Sequence, residues 1–193
     1  MLAERLQLKI YVEPSEHFEL EALIPVFHRF IRDRVISELM IDVVDYSHVP
    51  DGPGVVLIGH AADYYVGALD GRVGLVYSRK REAPGPEARL EDALRRLLNV
   101  ARLLEQESTV KLRFRSNELS LRLTDRLHAP NNEATFDNVR TEVEQLFGRV
   151  YVGATVSAER LAEPKGPLAL GIKTSASPSL EALLEKLGGP PEA

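Results

Sequence analysis

From Leu6 to Val12 apolar and polar side chains alternate. Leu6, Leu8, Ile10 and Val12 point one way, and Gln7, Lys9 and Tyr11 the other. A period of two with one apolar side predicts a half-buried strand. The period then changes. Leu20, Leu23, Ile24, Phe27, Phe30 and Ile31 recur at spacings of three and four, which predicts a helix over about 19–34 with one apolar face. Ser15 or Glu16 is a candidate opening residue. Pro25 would kink a helix interior, so the helix proper is expected to begin at Leu23, with Pro25 in its first turn. A strand is expected at about 39–48. The turn Pro50-Asp51-Gly52-Pro53 ends it, and Val55-Val56-Leu57-Ile58 returns. Four apolar residues in a row suit a strand covered on both faces.

Asp70-Gly71 lies between the runs 64–69 and 72–78 and predicts a tight hairpin. After the loop 82–86, Leu90, Leu94, Leu97, Leu98, Ala101 and Leu104 mark a long amphipathic helix over about 87–107. The run 111–124 alternates again and reads as a second hairpin, turning at Asn117-Glu118. A helix at 133–147, strands at 149–157 and 168–173, and a short helix at 180–187 follow. The Gly/Pro-rich tail 188–193 is expected to be disordered.

The chain also resembles itself. Leu6, Leu8 and Ile10 match Leu119, Leu121 and Leu123. The helix anchors Leu20, Leu23, Phe27, Phe30 and Ile31 match Phe136, Val139, Val143, Leu146 and Phe147 at a constant offset. The turn Pro50-Asp51-Gly52-Pro53 matches Pro164-Lys165-Gly166-Pro167, and Leu90, Leu94 and Leu97 match Leu180, Leu184 and Leu187. The expected fold is therefore α+β: an unequal tandem duplication of a β-α-β-β unit, with an antiparallel or mixed sheet and helices on one face. The first unit spans 1–108 and carries an extra hairpin. The second spans 109–187, and the two form one compact domain.

Composition changes this picture by exclusion. The chain has 193 residues and no cysteine. That rules out a disulfide framework, a thiolate metal site and a thiol nucleophile. No run approaches the roughly 18 apolar residues of a membrane span, so a cytoplasmic protein without membrane contact is expected. Net charge is −5, distributed unevenly: −6 over 1–78, +4 over 79–126 and −3 over 127–193.

No phosphate loop, dinucleotide fingerprint, nucleophile elbow or His-Glu-x-x-His is present, and no cofactor is implied. Three places remain as candidates. His60, with Asp63 three residues on and Asp42 or Asp45 across the expected strand pair, could hold a divalent cation or form an acid–base pair. In the Asp70-Gly71 hairpin, Gly67 should face Gly74 and Tyr65 should face Val76. Paired glycines leave a gap beside Tyr65 that could be a ligand slot or a close backbone approach. In the second hairpin Arg113 should face Arg122 and Arg115 should face Ser120. With Lys111 this makes a basic face that needs an acidic cover, from the chain itself, a second copy, an acidic protein or an anion. The net charge of −5, with only a modest basic segment, makes nucleic acid the poorest of these covers. The leading expectation is a non-catalytic binding or protein-interaction protein that self-associates as a homo-oligomer, its acidic surface steered toward the basic hairpin. The alternatives are an enzyme centred on His60, and an anion or nucleic-acid binder acting through residues 111–122.

Overall fold

The computed structural model describes residues 1–13, 19–68, 70–162 and 166–191. The first alternating segment forms β1 (Gln7–Val12). A 3-10 turn, Leu20–Ala22, leads into α1 (Leu23–Arg32), and Pro25 falls in its first turn, where its missing N–H costs nothing. Four strands follow: β2 (Met40–Tyr46), β3 (Gly54–Gly59), β4 (Ala62–Gly67) and β5 (Gly74–Arg79). Then come α2 (Arg89–Glu105), β6 (Phe114–Leu123), α3 (Glu133–Val150), β7 (Val156–Arg160), β8 (Leu168–Thr174) and α4 (Leu180–Lys186). No helix among the described residues is long and apolar enough to cross a membrane.

The strands form one antiparallel sheet in the order β2-β3-β4-β5-β1-β6-β8-β7. With the four helices this is an α+β fold. Alternation decides which side each residue takes. Leu8 and Ile10 share a face with their partners Leu75, Tyr77, Leu119 and Leu121, and all are buried in one apolar core. The helices pack on that face. α1 covers β2 and β3, α2 covers β1 and β5, α3 covers β7, and α4 wedges against α2 and α3. Five leucines of α2 are fully or almost fully buried. Each contributes roughly 1.5–3 kcal/mol relative to exposure, so this helix anchors the layer. The opposite face of the sheet has a small apolar cluster of its own, Val56, Tyr65 and Val76.

Local chemistry explains the helix ends. The Asn132 side chain accepts from the Thr135 amide at 2.9 Å and caps α3, and Ser179 does the same for α4 through the Ala182 amide at 3.2 Å. At the far end of α4 the amides of Gly188 and Gly189, both with positive φ, bond back to Glu185 and Leu184. The tail expected to be disordered is thus tied to the helix as far as these glycines. Residues 192 and 193 lie outside the described residues, as do Ser15, Glu16 and the first half of the Pro164–Pro167 turn.

Three expectations are corrected. First, no hairpin turns at Asn117-Glu118: β6 runs straight through, with β1 on one side and β8 on the other. A two-residue hairpin turn needs positive φ at its centre, and neither residue has it. Arg113 therefore does not face Arg122, nor Arg115 Ser120. Arg122 pairs with Gln7 and Ala169 instead. Second, the segment from Arg149 does not start a strand. α3 continues to Val150, because Phe147, Val150 and Tyr151 extend its buried face at helical spacing and the rings of Phe147 and Tyr151 stack at 5.5 Å. Third, His60 does not lie across the β2–β3 pair from Asp42 or Asp45. β2 stops at Tyr46 opposite Gly54, since successive turns, Val49 amide to Tyr46 carbonyl and Gly52 amide to Val49 carbonyl, consume residues 47–53. Val43 then faces Leu57, and His60 lies beyond the end of β3.

Candidate functional site

The clearest candidate is a cleft of about 240 Å³ where the β3–β4 turn, the segment before β2 and the N-terminal half of α2 meet. Its base is dictated by strand alternation. Leu75, Tyr77 and Arg79 share the core side of β5, so Arg79 is driven inward and is 2% exposed. A buried guanidinium needs partners. It donates to Asp92 of α2, to the Arg89 carbonyl at 3.0 Å and to the Tyr77 hydroxyl oxygen at 3.3 Å. One turn along α2, Arg96 grips the same Asp92 carboxylate at 3.0 Å, an i,i+4 pair. Arg96 also lies 3.5 Å from Glu38, whose other oxygen accepts from the buried Tyr64 hydroxyl. Two arginines, two carboxylates and two tyrosines thus form one linked network behind the cleft. Burial and the neighbouring Glu38 charge push the Tyr64 hydroxyl well above the usual tyrosine range. Burial pushes Tyr77 up to about 12, against the opposing effect of Arg79. Both hydroxyls keep their protons at any physiological pH.

His60 lines this cleft, but its acidic neighbour is neither Asp63 nor Asp42. Its Nδ1 lies 3.1 Å from Glu82, and both side chains are largely exposed. Asp63 is occupied elsewhere: its carboxylate accepts from the Gly59 amide at 3.2 Å and from Lys80 at 2.6 Å, which clasps the β3–β4 turn. Asp42 accepts from its neighbour Val43's amide at 2.8 Å, and Asp45 from that of Ser47 at 2.8 Å. The metal set expected from His60, Asp63 and Asp42 is not assembled. Among the described residues no group of three or more His, Asp or Glu side chains gathers as metal ligands.

The glycine pair is where the alternation placed it. Gly67 faces Gly74 and Tyr65 faces Val76. The space between the glycines is filled by the chain: a methyl group on Gly67 would meet the Pro53 carbonyl, and one on Gly74 would meet Lys9 and the Ile10 carbonyl. Beside them is a slot of about 30 Å³, room for one water. Tyr65 lines it, together with Lys9, Asp70, Ser120 and Arg122. Burial raises the Tyr65 hydroxyl to about 12.

The basic residues 111–122 have internal cover in part. Glu118 takes a bidentate pair from Arg72 at 2.8 Å and lies 3.4 Å from Arg115. Arg113 donates to the Glu105 and Leu112 carbonyls. Arg122 borders the slot, away from Arg113.

Sequence reasoning missed the network behind the cleft. Its readable signals were the Asp92/Arg96 spacing on α2 and a charged residue at a core-facing position of β5. Nothing around Glu38 marks it. No protein-family model, no curated protein and no solved structure matches this chain.

Proposed function

We propose that this chain is a non-catalytic cytoplasmic interaction protein, and that it associates with a second copy of itself along the flank of β2. One observation carries the reading. Eight large apolar side chains are exposed among the described residues, and four of them, Leu39, Ile41, Tyr46 and Val49, lie on or beside this edge strand. A concentration of exposed apolar groups on one flank marks an interaction surface, whereas singly scattered ones do not.

A twofold pairing is the simplest closed arrangement of one flank with its own copy. Centred near Val43 and antiparallel, it sets Asp42 and Asp45 beside Val44 and Ile41 of the second copy rather than beside each other. The register irregularity between Met40 and Asp42, and the Asp42 carboxylate on the Val43 amide, blunt the edge against plain sheet extension. Side chains, not a continued ladder, then supply most of the contact.

The internal duplication belongs to the same proposal. Both units run strand, helix, edge strand, inner strand and later helix. Leu8 and its sequence counterpart Leu121 are direct cross-strand partners, the arrangement expected if a local twofold axis passes through that pair.

Sedimentation velocity across the micromolar range tests the association. Residues 1–78 carry a net −6, so two copies repel through this region, and added salt should strengthen the dimer by screening. Ile41→Lys with Tyr46→Lys should give a monomer. A wild-type chain that stays monomeric at every salt concentration, or a double variant that associates like wild type, overturns the reading.

A further inference from the structure

We propose that the cleft beside His60 binds a small molecule through an oxyanion group, a carboxylate or a phosphate. The argument is an account of which polar groups in the cleft are already used. The two carboxylates at the base of the cleft are engaged. Glu38 is held by Tyr64 and Arg96, and Asp92 by Arg79 and Arg96. The donors are not. Tyr77 is 1% exposed, and its oxygen accepts from Arg79, but its own proton is donated to no acceptor among the described residues. A buried donor left in this state costs free energy that a ligand acceptor would recover. Arg81 lines the cleft with no partner for its guanidinium among the described residues, and so does the Ser37 hydroxyl. Arg96 uses Nε and Nη1 on carboxylates and leaves Nη2 without an acceptor among the described residues.

The charges around the cleft balance with His60 neutral: Arg79, Arg81 and Arg96 stand against Glu38, Asp92 and Glu82. The donors left over, not a net charge, therefore select the ligand. An oxyanion carries acceptors only and answers them, and guanidinium groups bind carboxylate and phosphate oxygens with matched geometry. The volume lies just below the usual range for drug-sized ligands, so the ligand is of small-metabolite size. The cleft shares Leu39 with the β2 flank but takes none of its donors from it, and binding does not depend on self-association.

The test is isothermal calorimetry and amide NMR at constant ionic strength, with inorganic phosphate, succinate and, as a neutral control, glucose. One or both anions should bind saturably, with shifts confined to residues 37–39, 60–61, 77–82 and the first turns of α2. The anion that binds distinguishes carboxylate from phosphate recognition. Arg81→Gln is a surface change that leaves packing untouched, and it should weaken binding by roughly tenfold, the loss of one charge-assisted bond. Tyr77→Phe removes only the hydroxyl and should weaken binding by roughly threefold to tenfold. Both variants should keep the wild-type circular dichroism and sedimentation. The proposal is overturned if neither anion binds saturably, if glucose binds as well as they do, or if both variants bind like wild type.

Discussion

A methyl group added to Gly67 would lie 2.3 Å from the Pro53 carbonyl oxygen, a backbone atom with nowhere to go. The same group on Gly74 would meet the end of the Lys9 side chain at 2.4 Å and the Ile10 carbonyl at 2.7 Å. These two glycines let neighbouring backbone come close, so they act on stability. Gly67→Ala should cost roughly 1–3 kcal/mol through overpacking, read as a lower urea midpoint with an unchanged slope. Gly74→Ala should cost a similar amount, because the Ile10 carbonyl is backbone and Lys9 is held by Asp70. Equal midpoints for Gly67→Ala and wild type would contradict this. The cross-strand pairing of the two glycines was legible from Asp70-Gly71 and alternation alone. What fills the gap was not, since Pro53 and Lys9 reach it from distant parts of the chain. Arg79 shows the other limit: its buried position follows from parity with Leu75 and Tyr77, but its partner on α2 follows only from how that helix lies across the sheet.

Among the elements, the loop after β4 is stapled across β1 and β6. Lys9, almost fully buried, donates to Asp70 and to the Arg72 carbonyl, Tyr11 donates to Asp70 at 3.2 Å, and Arg72 stacks on the Tyr11 ring at 3.9 Å while gripping Glu118. Burial lowers the Lys9 pKa against the opposing pull of Asp70. Asp70→Asn leaves that ammonium buried without its carboxylate and should destabilise the protein by ~3 kcal/mol. Adding Lys9→Met to Asp70→Asn should recover most of the loss, and chemical denaturation of the three variants decides. A double variant no more stable than Asp70→Asn would remove the buried pair as the cause. The Arg72 pair holds Glu118 down at about 2, against a modest effect of burial, from its ordinary 4.5. A depressed carboxyl contributes its stability above its unfolded value and loses it as pH falls toward the folded one. Melting temperature should therefore drop between about pH 4.5 and 2, and the drop should be shallower in Glu118→Gln. An identical acid limb in that variant would contradict the assignment. This staple was invisible in the sequence because Arg72 and Glu118 are far apart in the chain, and reading Asn117-Glu118 as a turn put Glu118 at a hairpin tip instead of beside Arg72.

At the scale of the molecule, the α+β class, the helices on one face and most elements could be read from the switch between periods of two and about 3.6. The order of strands could not. β1 sits between β5 and β6, and β8 between β6 and β7, so the centre of the sheet is built from pairings between distant segments that no local pattern encodes. The candidate sites fared likewise. His60 lines the cleft, but the network beside it, Glu38, Tyr64, Tyr77, Arg79, Asp92 and Arg96, comes from four separate stretches. The exposed flank of β2 was missed because Ile41 and Tyr46 look like ordinary strand residues until the edge position of the strand is known. That flank carries the central claim, and hydroxyl-radical footprinting over a concentration series tests it most directly. Leu127 and Val152, 85% and 72% exposed and remote from β2 in sequence, serve as internal controls. Oxidation of Leu39, Ile41 and Tyr46 should fall as concentration rises while Leu127 and Val152 stay constant. Unchanged oxidation at all five residues, or protection at Leu127 and Val152 instead, would contradict association through β2.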